Sequence, residues 1–83
     1  MQLRLITPEG VVLETECNEV LVPASGGTLG IRSGHTELVA PLLAGELVIR
    51  LAPGNEQIYA VGSGSFEVTP KKLTVLSSSA SKQ

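Results

Sequence analysis

Where the helix-breaking residues fall constrains this chain more than any other feature. Nine Gly and five Pro are spread through 83 residues so evenly that most intervals between them are shorter than a minimal helix and about as long as a strand. The spacing predicts an all-β fold. Residues 2–7 alternate, with Leu3 and Leu5 opposite Arg4, and stop at Pro8-Glu9-Gly10, where Pro pre-sets a turn and Gly relaxes the backbone. Residues 11–22 are the ambiguous stretch, because Leu13, Cys17 and Leu21 would also share a helical face. β-branched content, a turn at Cys17-Asn18 and a stop at Pro23-Ala24-Ser25-Gly26-Gly27 favour two strands there. Further strands are expected over 28–31, 37–40, 46–51, 57–61, 65–69 and 73–76, each bounded by a Gly, Pro or Ser turn. Eight to ten short strands of this kind predict two stacked antiparallel sheets, a flattened β-sandwich or barrel.

The length allows one core and not two, so residues 1–77 are read as one domain and the serine-rich residues 78–83 as a disordered tail. Aromatics contribute only Tyr59 and Phe66, so burial must come from twelve Leu, nine Val and four Ile. A domain this small is modestly stable alone and gains from a partner. The net charge of −2, with basic residues scattered apart from Lys71 and Lys72, argues against nucleic acid as that partner. Lys71 and Lys72 are read as solvating a turn. The single Cys17 can form no internal disulfide, which fits a reducing compartment, and the residue is expected to be a small filler or an inert thiol. The longest apolar run, residues 38–45, contains Pro41 and falls well short of the roughly 20 residues that span a bilayer. No signal peptide is visible at the start.

The catalytic inventory is short: one His, one Cys, eight Glu and no Asp. Ser33 and His35 are the only obvious pairing, and neither an orienting group nor an oxyanion site accompanies them. Gly62-Ser63-Gly64-Ser65 is not a nucleophile elbow, and Gly26-Gly27-Thr28-Leu29-Gly30 lacks the Lys-Ser/Thr ending of a phosphate loop. One His and one Cys cannot make a zinc site. No catalytic residue, metal or cofactor is expected. His35 stands among glycines, where a side chain serves either as a contact residue or as a local hydrogen-bonding post.

The run Gly26-Gly27-Thr28-Leu29-Gly30-Ile31-Arg32-Ser33-Gly34-His35, continuing through Leu42 and Gly45 to Ile49, resembles the amino-terminal domain of the epsilon subunit of F-type ATP synthases. Leu5-Ile6-Thr7-Pro8-Glu9-Gly10 resembles that family's first strand and turn. Gly64, Glu67, Val68 and Pro70, with Leu73-Thr74-Val75-Leu76, resemble its closing strands, so the likeness covers residues 2–77. Departures are Ser33 for Pro, Thr36-Glu37 for Ala-Pro, Ala44 for Pro, and Gly62-Ser63-Gly64 for Ser-Gly-Gly. The family's carboxy-terminal pair of helices has no counterpart before Gln83, and the brake on hydrolysis and the nucleotide site associated with it are not carried over. Two readings of the ending stay open, a naturally short subunit and a trimmed one, with the serine-rich close slightly favouring the first.

The resemblance implies a non-catalytic β-sandwich in the rotor of the synthase, peripheral at the cytoplasmic face of a bacterial membrane. It would dock on the gamma subunit and touch the c-ring, coupling ion translocation to ATP synthesis without inserting into the bilayer and without a small-molecule substrate. Gamma-facing positions fall on Thr7, His35 and Ala40, and ring-facing positions on Gly27, Thr28 and Leu29. Thr28 stands where many relatives carry an acidic residue, so backbone contacts to the ring are expected in place of an ion pair. The rival reading is an independent small ligand-binding or protein-interaction β-sandwich relying on Tyr59, Phe66 and the loops, although two aromatics make a poor ligand platform.

Overall fold

A computed structural model describes residues 1–83, and every regular element in it is a strand. In chain order these are β1 (Gln2–Thr7), β2 (Gly10–Glu16), β3 (Glu19–Ala24), β4 (Gly27–Arg32), β5 (Leu38–Leu42), β6 (Gly45–Ala52), β7 (Asn55–Val61), β8 (Gly64–Thr69), β9 (Lys72–Ser77) and β10 (Ala80–Lys82). They form two five-stranded sheets, ordered β2-β1-β9-β8-β5 and β10-β7-β6-β3-β4, called here the first and the second sheet. The glycine and proline spacing thus produces the sandwich it predicts. Residues 11–22 form two strands separated by the Cys17-Asn18 turn, as their β-branched content requires.

Two features depart from the sequence reading. The pair at the centre of the first sheet, β1 with β9, is parallel, with Gln2 opposite Lys72 and Ile6 opposite Leu76. All the other pairs are antiparallel. The second departure is the expected disordered tail over 78–83, which instead supplies β10. There Ala80, Ser81 and Lys82 pair with Val61, Ala60 and Tyr59, and the Gln83 N–H donates to the Ile58 carbonyl. The physical cause is a free edge on β7, whose unpaired backbone groups the closing residues satisfy.

Alternation places the core between the sheets. Leu3 and Leu5 of β1, Val20 and Val22 of β3, Ile31, Leu42, Leu47, Ile49, Phe66, Val68, Leu73 and Val75 are all essentially solvent-free. Cys17, Tyr59 and Val61 complete the cluster. Each fully buried aliphatic contributes about 1.5–3 kcal/mol relative to exposure, which is how a nearly aromatic-free chain can hold together.

Strand direction gives the sandwich two distinct ends. One gathers the turns at residues 8–9, 25–26, 43–44 and 62–63 together with the β9–β10 corner, and is called here the serine-glycine end. The other gathers the turns at 17–18, 33–37, 53–54 and 70–71 and the amino terminus, and is called the charged end. At the serine-glycine end the backbones come close. A Cβ on Gly64 would collide with the Leu76 carbonyl oxygen, and one on Gly62 with Ser78 Oγ. The buried Ser77 hydroxyl shares its proton between the Gly62 and Ser79 carbonyls and accepts from the Ser79 N–H.

Candidate interaction surfaces

The inward phase of each strand is spent on the core, so any functional surface must come from the outward phase and from the turns. On the outer face of the first sheet, register lines up Pro41, Ser65, Leu76, Ile6 and Val11, one from each strand. Apart from Ser65 the row is apolar. Leu76 is 47% exposed and Val11 49%, and Val39 of the edge strand β5 reaches 71%. A bulge between Leu5 and Ile6 produces this arrangement, because it pairs Ile6 with Val11 and leaves Val12 as an additional exposed apolar residue. Leu76 and Val11 occupy the strand phase that a solvated sheet would fill with polar residues. That antiphase placement is a signal the sequence carries and that the reading of candidate residues passed over.

On the outer face of the second sheet, at the charged end, four side chains from four strands form a ladder. Arg32 Nε donates to Glu19 Oε2 at 3.1 Å, Arg50 Nη1 donates to Glu19 Oε1 at 2.8 Å, and Arg50 Nε donates to Glu56 Oε2 at 2.8 Å. Hydrogen bonds from Arg32 and then Arg50 hold the Glu19 carboxyl below the usual carboxylate range, and Glu56 followed by Glu19 raises Arg50. The ladder floors a hollow of about 390 Å³ lined by Asn18, Glu19, Arg32, Arg50, Ala52, Pro53, Gly54 and Glu56. Its two cations and two carboxylates neutralise one another. Tyr59 and Phe66, on which a ligand site would rely, are buried in the core and cannot line it.

The expected gamma-facing residues are not brought together. Thr7 is buried at the serine-glycine end of β1, where its Oγ1 accepts from the Glu9 N–H at 3.3 Å. His35 is half-buried in the loop at the charged end, its Nδ1 2.7 Å from the Thr36 carbonyl oxygen that accepts its proton. Ala40 lies between them on β5, half-buried, opposite Phe66 and packed against the core. Gly27, Thr28 and Leu29 are consecutive on the edge strand β4 beside the serine-glycine end; the first two are exposed and Leu29 leans on the core. Gly26 and Gly27 both have positive φ, so this turn takes a path that side chains with a Cβ resist.

Ser33 and His35 make no catalytic pair: the Ser33 hydroxyl points to the Pro70 carbonyl at 3.5 Å and His35 to Thr36. No three His, Cys, Asp or Glu side chains converge in a way that could hold a metal ion. Cys17 is buried, and desolvation pushes its thiol up, partly offset by the amino-terminal ammonium and reinforced by Glu16.

The fold defines an all-β, two-sheet sandwich of ten strands whose outer faces carry an apolar row and a neutralised charge ladder. The more particular assignment comes from comparison: residues 1–83 match the family described as the ATP synthase Delta/Epsilon chain, beta-sandwich domain, and the chain belongs to that family. The ATP synthase epsilon chains of Brucella anthropi and Brucella canis are each 35% identical over 79 residues, covering 95% of this chain. The chain spans 58% of the length of those relatives. Among solved structures, a chain of the Euglena gracilis mitochondrial ATP synthase, in an OSCP/F1/c-ring assembly, superposes with a TM-score of 0.89 at 21% identity. The match covers 96% of this chain and 51% of that one. A chain of the Tetrahymena thermophila mitochondrial ATP synthase central stalk and c-ring superposes with a TM-score of 0.82 at 16% identity, covering 98% and 65%. At these identities the two structures speak for the fold. No helix is long and apolar enough to cross a membrane.

Proposed function

We propose that this sandwich is a non-catalytic rotor module of an F-type ATP synthase, docking on the gamma subunit through the outer face of its first sheet and meeting the c-ring with its serine-glycine end. It works as a mechanical coupler between ion translocation and ATP synthesis, held as a peripheral component at the cytoplasmic face of the membrane. The observation that carries the reading is the family match over the whole chain, joined to an apolar row that a free-standing module would leave in water. The gamma-facing positions Thr7 and Ala40 are the inward chain neighbours of the half-buried Ile6 and the exposed Val39 and Pro41. Contact is therefore assigned to those outward residues, with Thr7 and Ala40 as their support.

The test uses Leu76→Glu and Val39→Arg, whose side chains lie outside the core. The isolated domain should unfold at an unchanged urea concentration, while its affinity for gamma falls at least about tenfold, as for a charge placed in the centre of an apolar interface. Unchanged affinity in both variants would remove the first sheet's outer face as the docking face.

A further inference from the structure

We propose that the hollow over the Arg32–Glu19–Arg50–Glu56 ladder is a docking site for a protruding, dipolar segment of a protein partner, with Arg32 taking a carboxylate from it and Glu56 a cation. The site lies on the second sheet at the charged end, so it does not rest on the gamma and ring placements proposed above. Two observations lead to it. The ladder is neutral as a whole but unfinished at both ends, and it is left uncovered.

The middle of the ladder is saturated. Both Glu19 oxygens accept, one from Arg32 and one from Arg50, and Arg50 donates in both directions. Gly30 has no side chain, so Glu19 Oε2 settles against β4, 3.1 Å from where a Cβ would stand, and the Glu19 side chain is only 14% exposed. The end members differ. Arg32, on the edge strand β4, donates only through Nε; its side chain is 73% exposed and both terminal nitrogens are unbonded. Glu56, on β7, accepts through Oε2 alone, which leaves Oε1 free. Neither has an ion-pair partner outside the ladder. The open edge of the Arg32 guanidinium is a planar set of N–H groups that fits a carboxylate.

Shape decides what can bring these charges. The alternating pattern is complementary to itself when reversed, so a second copy would match it in charge. The ladder, however, floors a hollow of about 390 Å³ walled by Asn18, Ala52, Pro53 and Gly54, and two such faces opposed would enclose a void. A convex segment fills the hollow instead. Polyanions such as nucleic acid meet Glu19 and Glu56 as well as the arginines, and gain nothing from a neutral face. Arg32 and Glu56 lie three strand spacings apart across β4, β3, β6 and β7, about 14 Å. Extended chain covers that distance in about four residues, and side chains four apart on it share a face. The occupant is therefore an extended stretch with Asp or Glu at one position and Lys or Arg about four residues away.

The experiment follows the backbone amide resonances of the chain by NMR as blocked nonapeptides of Ser and Thr are added. One peptide carries Glu and, four residues on, Lys; the controls carry two Glu, two Lys, or Glu and Lys side by side. The expected result is shifts at Asn18, Arg32, Gly54 and Glu56 with the spaced peptide, at an affinity at least about threefold above that of any control. Arg32→Gln and Glu56→Gln should each bring it down to the level of a control, and added salt should weaken it. Urea midpoints of both variants should stay near the wild type, since exposed ion pairs contribute little to folding. Equal binding of all the peptides, or no shift at millimolar peptide, would overturn the docking site. Inorganic phosphate shifting Arg32 as strongly as the spaced peptide would overturn the protein segment as occupant. Shifts at the same residues on concentrating the chain alone would assign the face to a second copy and overturn it too. The gamma and ring readings survive each of these outcomes, because their surfaces lie on the other sheet or at the other end.

Discussion

The two ends of this sandwich solve the same problem with different chemistry. At the charged end, main-chain bonds such as Asn18 N–H to Arg50 and Gly34 N–H to Pro70 are reinforced by ion pairs: the amino-terminal ammonium sits 3.2 Å from Glu16, and the Arg32–Glu19–Arg50–Glu56 ladder crosses four strands. At the serine-glycine end, turns are tied by main chain. Leu43 N–H donates to the Pro23 carbonyl, Gly62 N–H to Ser79, and Ser78 N–H to Ser63, with the Ser77 hydroxyl filling in between. An end without ion pairs is held instead where Gly62 and Gly64 bring backbone too close to admit a Cβ. The charged end has the opposite properties: it tolerates substitution and responds to salt and pH.

The largest expected effect tests the intolerance. Gly64→Ala forces a methyl group into the Leu76 carbonyl, a main-chain atom that cannot swing aside. Urea unfolding should show a loss of about 2–3 kcal/mol, nearly the same in low salt and in 1 M salt. A stability within error of the wild type would mean that the serine-glycine end is pliable and the contrast between the ends false.

A smaller effect probes the charged end. The folded Glu19 carboxyl is held below its ordinary value, so the stabilisation it brings is complete above the ordinary carboxylate range near about 4 and disappears as pH falls through the folded value. Glu19→Gln should therefore lower the urea midpoint at pH 7, and the gap from the wild type should narrow with added salt and close in acid. A gap that persists unchanged at pH 3 would assign the Glu19 effect to packing rather than charge.

The smallest effect sharpens the boundary between the charged end and the core. Cys17 sits in the turn at that end but is buried, its thiol raised by desolvation. At neutral pH its alkylation should be at least about tenfold slower in the folded chain than in urea, because little thiolate forms and access is poor. Equal rates would show that the turn opens freely, leaving the ladder to hold the charged end alone.

Much of this was legible from residue order. Glycine and proline spacing gives the strands and the two-sheet architecture, and alternation identifies Leu3, Leu5, Leu47 and Ile49 as core. What stayed hidden depends on register between distant segments. Glu19 and Arg50 stand 31 positions apart in sequence and meet only because β3 pairs with β6. Ala40 could not be assigned to the inside without knowing that it faces Phe66, nor could Val11 be assigned to the outside without the bulge at Ile6. The serine-rich close of the chain reads as solvated tail because its composition says nothing of the open β7 edge waiting for it. Thr7, His35 and Ala40 came from a resemblance, and strand direction places Thr7 and His35 at opposite ends of the molecule.

The parallel pair at the heart of the first sheet bears on how the chain reaches this state. Gln2 is joined to Lys72 across about seventy intervening residues, whereas β3 with β4 and β6 with β7 are hairpins closed by short turns. During synthesis the hairpins of the second sheet can form as soon as they emerge, while β1 and β2 wait with an apolar face exposed until β9 has left the ribosome. Contacts this distant in sequence make folding slow. The first sheet, which carries the proposed gamma-docking face, therefore closes at its centre only once β9 has been made, long after the hairpins of the second sheet have formed.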